Sequence, residues 1–171
     1  MGYNPSQFKG LTHPVDSVSW DVCQIFLQHL NKIAPAGWRF TLPTEAQWEY
    51  ACRAGTTSTF NTGNKQSKRN AVFGRRKTAN VKYGKPNLWG IYDMHGSIEE
   101  WCSDWYQSRY SNKKVDPTGP PEGRYKVLRG GDWWSFDVKY CRSAVRYYNL
   151  PYAKFNDYGF RIIMEHTPVL D

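Results

Sequence analysis

Apolar and polar positions fall into two regimes along the chain. From Trp20 to Ile33, the apolar residues Val22, Ile25, Phe26, Leu30 and Ile33 recur near helical spacing. This predicts an amphipathic helix with Ser19 as N-cap and Ala34-Pro35 as stop. A shorter helix is predicted behind Pro43, where Thr44-Glu45-Ala46-Gln47 reads as a capping box; Trp48, Ala51 and Cys52 supply the buried face and Gly55 the end. Residues 54–86 then lose all sustained period, a stretch longer than ordinary connections and so expected to be functional or mobile. Beyond it come short strand-like runs, Ile98 to Tyr106, Tyr125 to Leu128, Tyr140 to Arg146 and Gly159 to Met164. Turn residues separate them, at Asp116-Pro117-Thr118-Gly119-Pro120-Pro121 and Arg129-Gly130-Gly131. No internal repeat is present. The pattern predicts one α+β domain over residues 1–171, with two helices, an irregular antiparallel sheet and a high loop content.

Composition changes the picture of the interior. Ile, Leu and Val together number 24 against 28 aromatic residues in a chain of 171. A core built on Trp and Tyr needs partners for ring N–H and O–H groups, which favours a loop-rich, hydrogen-bonded interior over a helical bundle. Disorder is excluded by the same aromatics. No uncharged apolar run is long enough to span a membrane, and the polar start Gly2-Tyr3-Asn4-Pro5-Ser6 is no signal peptide, so a cytoplasmic location is the default expectation. Cys23, Cys52, Cys102 and Cys141 lie far apart without metal-ligand spacing; buried reduced thiols are expected, with Cys102 and Cys141 the one pair to check for a bridge.

Charge is concentrated. Lys65, Lys68, Arg69, Arg75, Arg76, Lys77, Lys82 and Lys85 account for the entire formal charge of +8, and no Asp or Glu occurs from Ala54 to Tyr92. Residues 54–86 therefore form a basic loop insert. It is expected either to be a solvated loop or to meet an anionic partner, nucleic acid or an acidic protein, centred on Arg75, Arg76 and Lys77.

Several strings occur in one order: Asn4-Pro5-Ser6-Gln7-Phe8-Lys9-Gly10, Pro14-Val15-Asp16-Ser17-Val18-Ser19-Trp20, Leu42-Pro43-Thr44-Glu45-Ala46-Gln47-Trp48-Glu49-Tyr50, Asn87-Leu88-Trp89-Gly90-Ile91-Tyr92-Asp93-Met94, Glu100-Trp101-Cys102, Leu128-Arg129-Gly130-Gly131 and Gly159-Phe160-Arg161. Together, over residues 4–164, they resemble the formylglycine-generating enzyme (sulfatase-modifying factor) family, whose fold is a variant of the C-type lectin fold. The family normally carries further strands before the Asn-Pro-Ser motif, which here starts at residue 4. The resemblance implies copper held by two thiolates in true enzymes of the family; alignment on Arg146 puts Val138 and Ser143 at those positions, so neither copper binding nor catalysis is expected. It also implies a Ca²⁺ loop, with carboxylates of Asp93 and Glu100 and backbone oxygens of Gly96 and Ile98. The alternative is that Asp93 and Glu100 cap a turn and pair with a cation.

Residues 132–160 hold ten aromatics in 29 positions, among Ser, Asn and Asp, with no period that would bury them on one face. Such a composition resembles an antibody paratope; the alternative is aromatic loops folded onto their own core. The frame Leu128-Arg129-Gly130-Gly131, Trp133, Cys141-Arg142-Ser143-Ala144, Arg146, Pro151 and Gly159-Phe160-Arg161 further resembles the variable region of proteins diversified by diversity-generating retroelements, in bacteria or phages. Those proteins display ligand-binding residues on a lectin fold of this type. Errors at adenines of Asn codons yield the residue types found at Ser135, Phe136, Asp137, Val138, Tyr140, Val145, Tyr147 and Tyr148, and again at Asn149, Leu150, Tyr152, Ala153, Phe155, Asn156, Asp157 and Tyr158. Trp134, also placed on the binding surface, together with Lys139 and Lys154 cannot arise that way. The resemblance implies a non-catalytic binder of a protein or other macromolecule. Trp134, Phe136, Tyr140, Tyr147, Tyr148, Tyr152, Phe155 and Tyr158 are expected exposed on one contiguous face, with Trp133, Arg146, Gly159, Phe160 and Arg161 buried beneath.

Overall fold

The computed structural model describes residues 3–109 and 115–167. Helix α1 (Trp20–Leu30) begins where Ser19 Oγ accepts the Val22 N–H, and it buries Cys23 and Leu27. It tightens into a 3₁₀ turn at Asn31–Ile33 because the Asn31 side chain is held at both ends by the Phe40 backbone, at 2.7 and 2.9 Å. That tie places strand β1 (Trp38–Thr41), which the sequence pattern did not predict. Helix α2 (Glu45–Arg53) carries the expected capping box, with Thr44 and Gln47 each satisfying the other's N–H, and ends at Ala54 in the left-handed region.

The main sheet has four strands in the order β4-β3-β2-β5. Central β2 (Glu99–Trp105) runs antiparallel to β3 (Lys126–Arg129), β3 antiparallel to β4 (Arg146–Asn149), and β5 (Tyr158–Gly159) pairs parallel with the start of β2. A separate ribbon pairs β1 with β6 (Ile163–His166), Trp38 opposite His166 and Thr41 opposite Ile163. Two expectations need correction. Tyr140 to Arg146 is not a strand, because Asp137 accepts the Lys139 N–H and opens a 3₁₀ turn at Val138–Cys141, so extended backbone begins only at Arg146. The run Gly159 to Met164 is divided between the two sheets.

Aromatic rings do hold the interior together. Val18, Leu27, Leu42, Trp101 and Leu128 form one buried cluster, sealed by Trp20, Phe26, Phe40, Tyr147, Tyr158 and Phe160; Trp48, Cys52, Met94, Cys102 and Val127 form a second. Each buried indole finds an acceptor: Trp101 Nε1 donates to Val18 O at 3.0 Å, Trp48 Nε1 to Glu100 at 2.6 Å, and Trp133 Nε1 to Asn156 O at 3.3 Å. The four cysteines are buried free thiols, so Cys102 and Cys141 do not pair. Residues 54–86 lack helix and strand but are docked rather than loose. Phe60, Ala71, Val72, Phe73 and Thr78 are buried, Val72 is bonded to His95 and Ser97, and Val81 N–H reaches Thr12 O. No helix among the described residues is long and apolar enough to cross a membrane.

Candidate ligand-binding face

The site stands on a buried ionic frame. Arg129 on β3 is fully buried, lies over the Trp48 ring at 5.1 Å, and meets Glu45 at 2.8 Å, Glu49 at 2.7 Å and the Ser143 carbonyl. Burial pushes the Glu49 carboxyl up, but the Arg129 and Arg53 guanidiniums outweigh it and hold the group below its usual range. Arg146 grips both oxygens of Glu45, at 2.5 and 2.6 Å, and donates to Gln107 O. Arg129 on β3 and Arg146 on β4 thus clamp both strands to α2.

From that clamp β4 projects its side chains alternately to two sides. Arg146 and Tyr148 point toward α2 and the end of β2. Tyr148 stacks on Tyr106 at 4.0 Å and meets Tyr125 at 5.1 Å, Arg146 lies over Tyr106 at 4.9 Å and Arg124 over Tyr125 at 5.3 Å. A cleft of about 330 Å³ opens beside it, lined by Glu45, Asp104, Arg109 and Arg146 among others. Tyr147 and Asn149 point the other way: the Tyr147 ring packs on the first core cluster with its hydroxyl on Tyr140 O, and Asn149 bonds the Tyr158 hydroxyl at 2.9 Å.

The expectation of one contiguous face is therefore corrected. Trp134, Phe136, Tyr148, Tyr152 and Phe155 are exposed, by 47 to 77 %. Tyr140, Tyr147 and Tyr158 are half-buried, and the alternation of β4 sets Tyr148 apart from its neighbour Tyr147. Ser135 is buried, its N–H on Asp132 and its carbonyl taken by Gly74, so it is removed from the surface set. Val138 packs on Ala71, Phe73 and Cys141. Asp137, Val145, Asn149, Leu150, Ala153, Asn156 and Asp157 are half-buried at the margins. Below, Trp133 and Gly159 are buried as expected, whereas Arg146, Phe160 and Arg161 are only partly so. A Cβ at Gly159 would lie 2.3 Å from Ile98, and one at Gly131 (φ +75°) 2.8 Å from Cys141 Sγ, which accounts for both frame glycines. Tyr106, Arg124 and Tyr125 were not legible as site residues, since only the β2–β3 register brings them beside Tyr148.

Beneath the half-buried rings lies an acidic group with no cation paired to it among the described residues. Burial first, then Asp132 and Asp157, pushes the Glu99 carboxyl well up; burial and Asp132 push Asp157 to about 6, and its Oδ1 is buried without a partner.

Comparison with known proteins places this geometry. A Sulfatase-modifying factor enzyme 1-like domain matches residues 1–166. The chain belongs to the sulfatase-modifying factor family. It is 33 % identical to the formylglycine-generating enzyme of Bos taurus over 177 residues, 91 % of this chain and 45 % of that one. It is 36 % identical to serine/threonine-protein kinase pkn1 of Chlamydia pneumoniae over 154 residues, 87 % of this chain and 23 % of that one. The chain thus spans less than half the length of either relative. Among solved structures, Treponema denticola variable protein 1 superposes with a TM-score of 0.87 at 28 % identity, over 98 % of this chain and 79 % of that one. PvdO from Pseudomonas aeruginosa gives 0.80 at 25 %, over 93 % and 64 %. The fold is the C-type lectin-like fold of this family.

The family resemblance implies copper and calcium; the copper positions lack thiolate donors, and the carboxylates of the calcium loop already accept bonds from the chain. Val138 offers no donor and Ser143 only a hydroxyl where copper needs thiolates, while burial pushes the neighbouring Cys141 thiol up to about 12 and keeps it protonated. At the calcium loop, Asp93 takes the N–H groups of Lys82 and Tyr83 at 2.6 and 2.9 Å. Both oxygens of Glu100 are taken by Arg161, one of them also by Trp48. Gly96 and Ile98 lie between them and line the same cleft, and both carboxylates already accept bonds from the chain itself. No group of three or more His, Cys, Asp or Glu among the described residues is placed to hold a metal.

Proposed function

We propose that this sulfatase-modifying factor domain is a non-catalytic ligand-binding scaffold. In this reading it presents residues 132–160 to a macromolecular partner and is varied there by a retroelement. The observation that carries the reading is the coexistence of five large exposed aromatics in one segment with a frame fixed by buried Arg129, Trp133, Cys141 and Gly159. A free-standing chain gains nothing from such exposure, whereas a binding face does. Likeness to Treponema denticola variable protein 1 over 98 % of the chain supports the reading. The family's enzymes favour an oxygen-dependent catalyst or an inactive accessory domain instead; the donor set at Val138 and Ser143 speaks against the first.

Sequencing the gene with its flanking DNA from many clones tests the proposal. A reverse transcriptase nearby, a near-copy of the final coding segment, and variation confined to Asn-derived codons at positions such as 136, 140, 147, 148 and 155 are expected. An invariant gene without either neighbour overturns the diversified reading. Conversion of a peptide cysteine to an aldehyde by the copper-supplemented protein overturns the non-catalytic one.

A further inference from the structure

The basic loop and the aromatic segment are one surface. Gly74 N–H donates to Ser135 O and Arg75 N–H to Trp133 O, both at 2.8 Å, so the loop is bonded on either side of Trp134. Trp134 and Phe136 are 67 % and 77 % exposed. None of the eight cations from Lys65 to Lys85 forms a side-chain ion pair with a carboxylate among the described residues. The cations nearest the seam are held in place without being neutralised: Lys68 lies over the Phe73 ring and donates to Gly74 O, and Arg75 lies over Tyr83 and donates to Lys68 O. Arg76 and Lys77 follow directly and are exposed. On the aromatic side Asp137 is paired with Lys139 and Asp132 accepts the Ser135 N–H, while burial of Glu99 and Asp157 pushes both carboxyls toward the neutral form.

Resting on the ligand-presenting role of residues 132–160, we infer that this seam binds a single-stranded nucleic acid, phosphates on the loop cations and bases on the rings of Trp134 and Phe136. Unneutralised cations beside open planar rings match a chain of regularly spaced anions carrying flat faces. An acidic polypeptide supplies the charge but no ring stack, and a duplex keeps its bases inside. The loop and Trp134 lie outside the positions proposed to vary, so they set a constant ligand class, while Phe136 and the other varying residues set preference within it.

The test is fluorescence anisotropy of the protein with a labelled twelve-nucleotide oligo-dT at graded salt, with duplex DNA and polyglutamate as competitors. Affinity should fall with salt by about 0.7 log units per log unit of salt for each phosphate neutralised. The double variant Arg76→Gln, Lys77→Gln should flatten that slope by about 1.4. Trp134→Ser should weaken binding about tenfold with the slope unchanged, and Trp134→Phe should restore most of it. Absence of a complex at low salt, equal competition by polyglutamate or duplex, or indifference to both Trp134→Ser and Phe136→Ser overturns the inference. None of these outcomes touches the ligand-presenting role, which the clone sequences decide separately.

Discussion

At the scale of single residues, buried charge is the decisive quantity, and its sign depends on whether a counter-charge is present. Arg129 has its acids, so Arg129→Ala leaves Glu45 to Arg146 and Glu49 to Arg53, strips the buried Ser143 carbonyl of its donor, empties the space over Trp48, and should cost about 2–4 kcal/mol. Denaturant unfolding reads this directly, and a loss under 1 kcal/mol would contradict the clamp. Glu99 has no paired cation among the described residues, and its folded-state pKa lies above the unfolded value. Its favourable contribution is therefore complete below about pH 4 and is lost as pH rises through the folded value. Glu99→Gln should then stabilise the protein at pH 8 and leave it almost unchanged at pH 4. Melting temperatures at the two pH values check this, and an equal gain at both would mean the effect is packing rather than charge. At the metal-like loop, the spent carboxylates predict that chelator leaves the melting temperature unchanged while Asp93→Ala lowers stability by about 1 kcal/mol through two lost acceptors. A rise in melting temperature on adding Ca²⁺ would mean the loop rearranges to hold it.

At the scale of elements, the signals that were legible in the sequence are those written within a few residues. Ser19 and the Thr44–Gln47 box fixed both helix starts because a cap needs only its own first turn. Strand β1 was not legible, since Trp38-Arg39-Phe40-Thr41 is largely solvent-facing and finds its partner only at Ile163–His166. Residues 140–146 read as a strand from their aromatic content, whereas one side-chain bond from Asp137 turns the backbone instead. Exposure of the aromatic segment was legible from composition; the direction of each ring was not, because direction depends on the β3–β4 register. That register yields a comparison between neighbours. Tyr148→Ser removes an exposed ring stacked on Tyr106 and should cost about 0.5–1.5 kcal/mol, whereas Tyr147→Ser removes a ring from the core cluster and should cost about 2–4 kcal/mol. Similar costs for the two would refute the alternation.

At the scale of the whole molecule, two opposed titrations meet beneath the aromatic segment. His95 is buried with Nδ1 donating to Cys141 O and Nε2 accepting the Asn61 N–H, and burial pulls its pKa down to about 4. Its contribution is complete above about 6.5 and is lost as pH falls toward 4. The Glu99, Asp132 and Asp157 group shifts stability the other way over much of the same range. The wild-type stability profile should therefore be shallow between pH 4 and 6.5, and Glu99→Gln should expose a steeper acid loss; a steep wild-type profile would show that one group dominates. The two-sided strand β4 bears on how such a molecule could be altered over time. A copying process that rewrites successive codons has no knowledge of which way a side chain points. Changes at 148 would be spent on recognition, whereas changes one residue earlier would be spent on folding. Some newly made versions of the chain would accordingly be lost before meeting any ligand, and surviving versions should retain a large ring at 147 far more often than at 148.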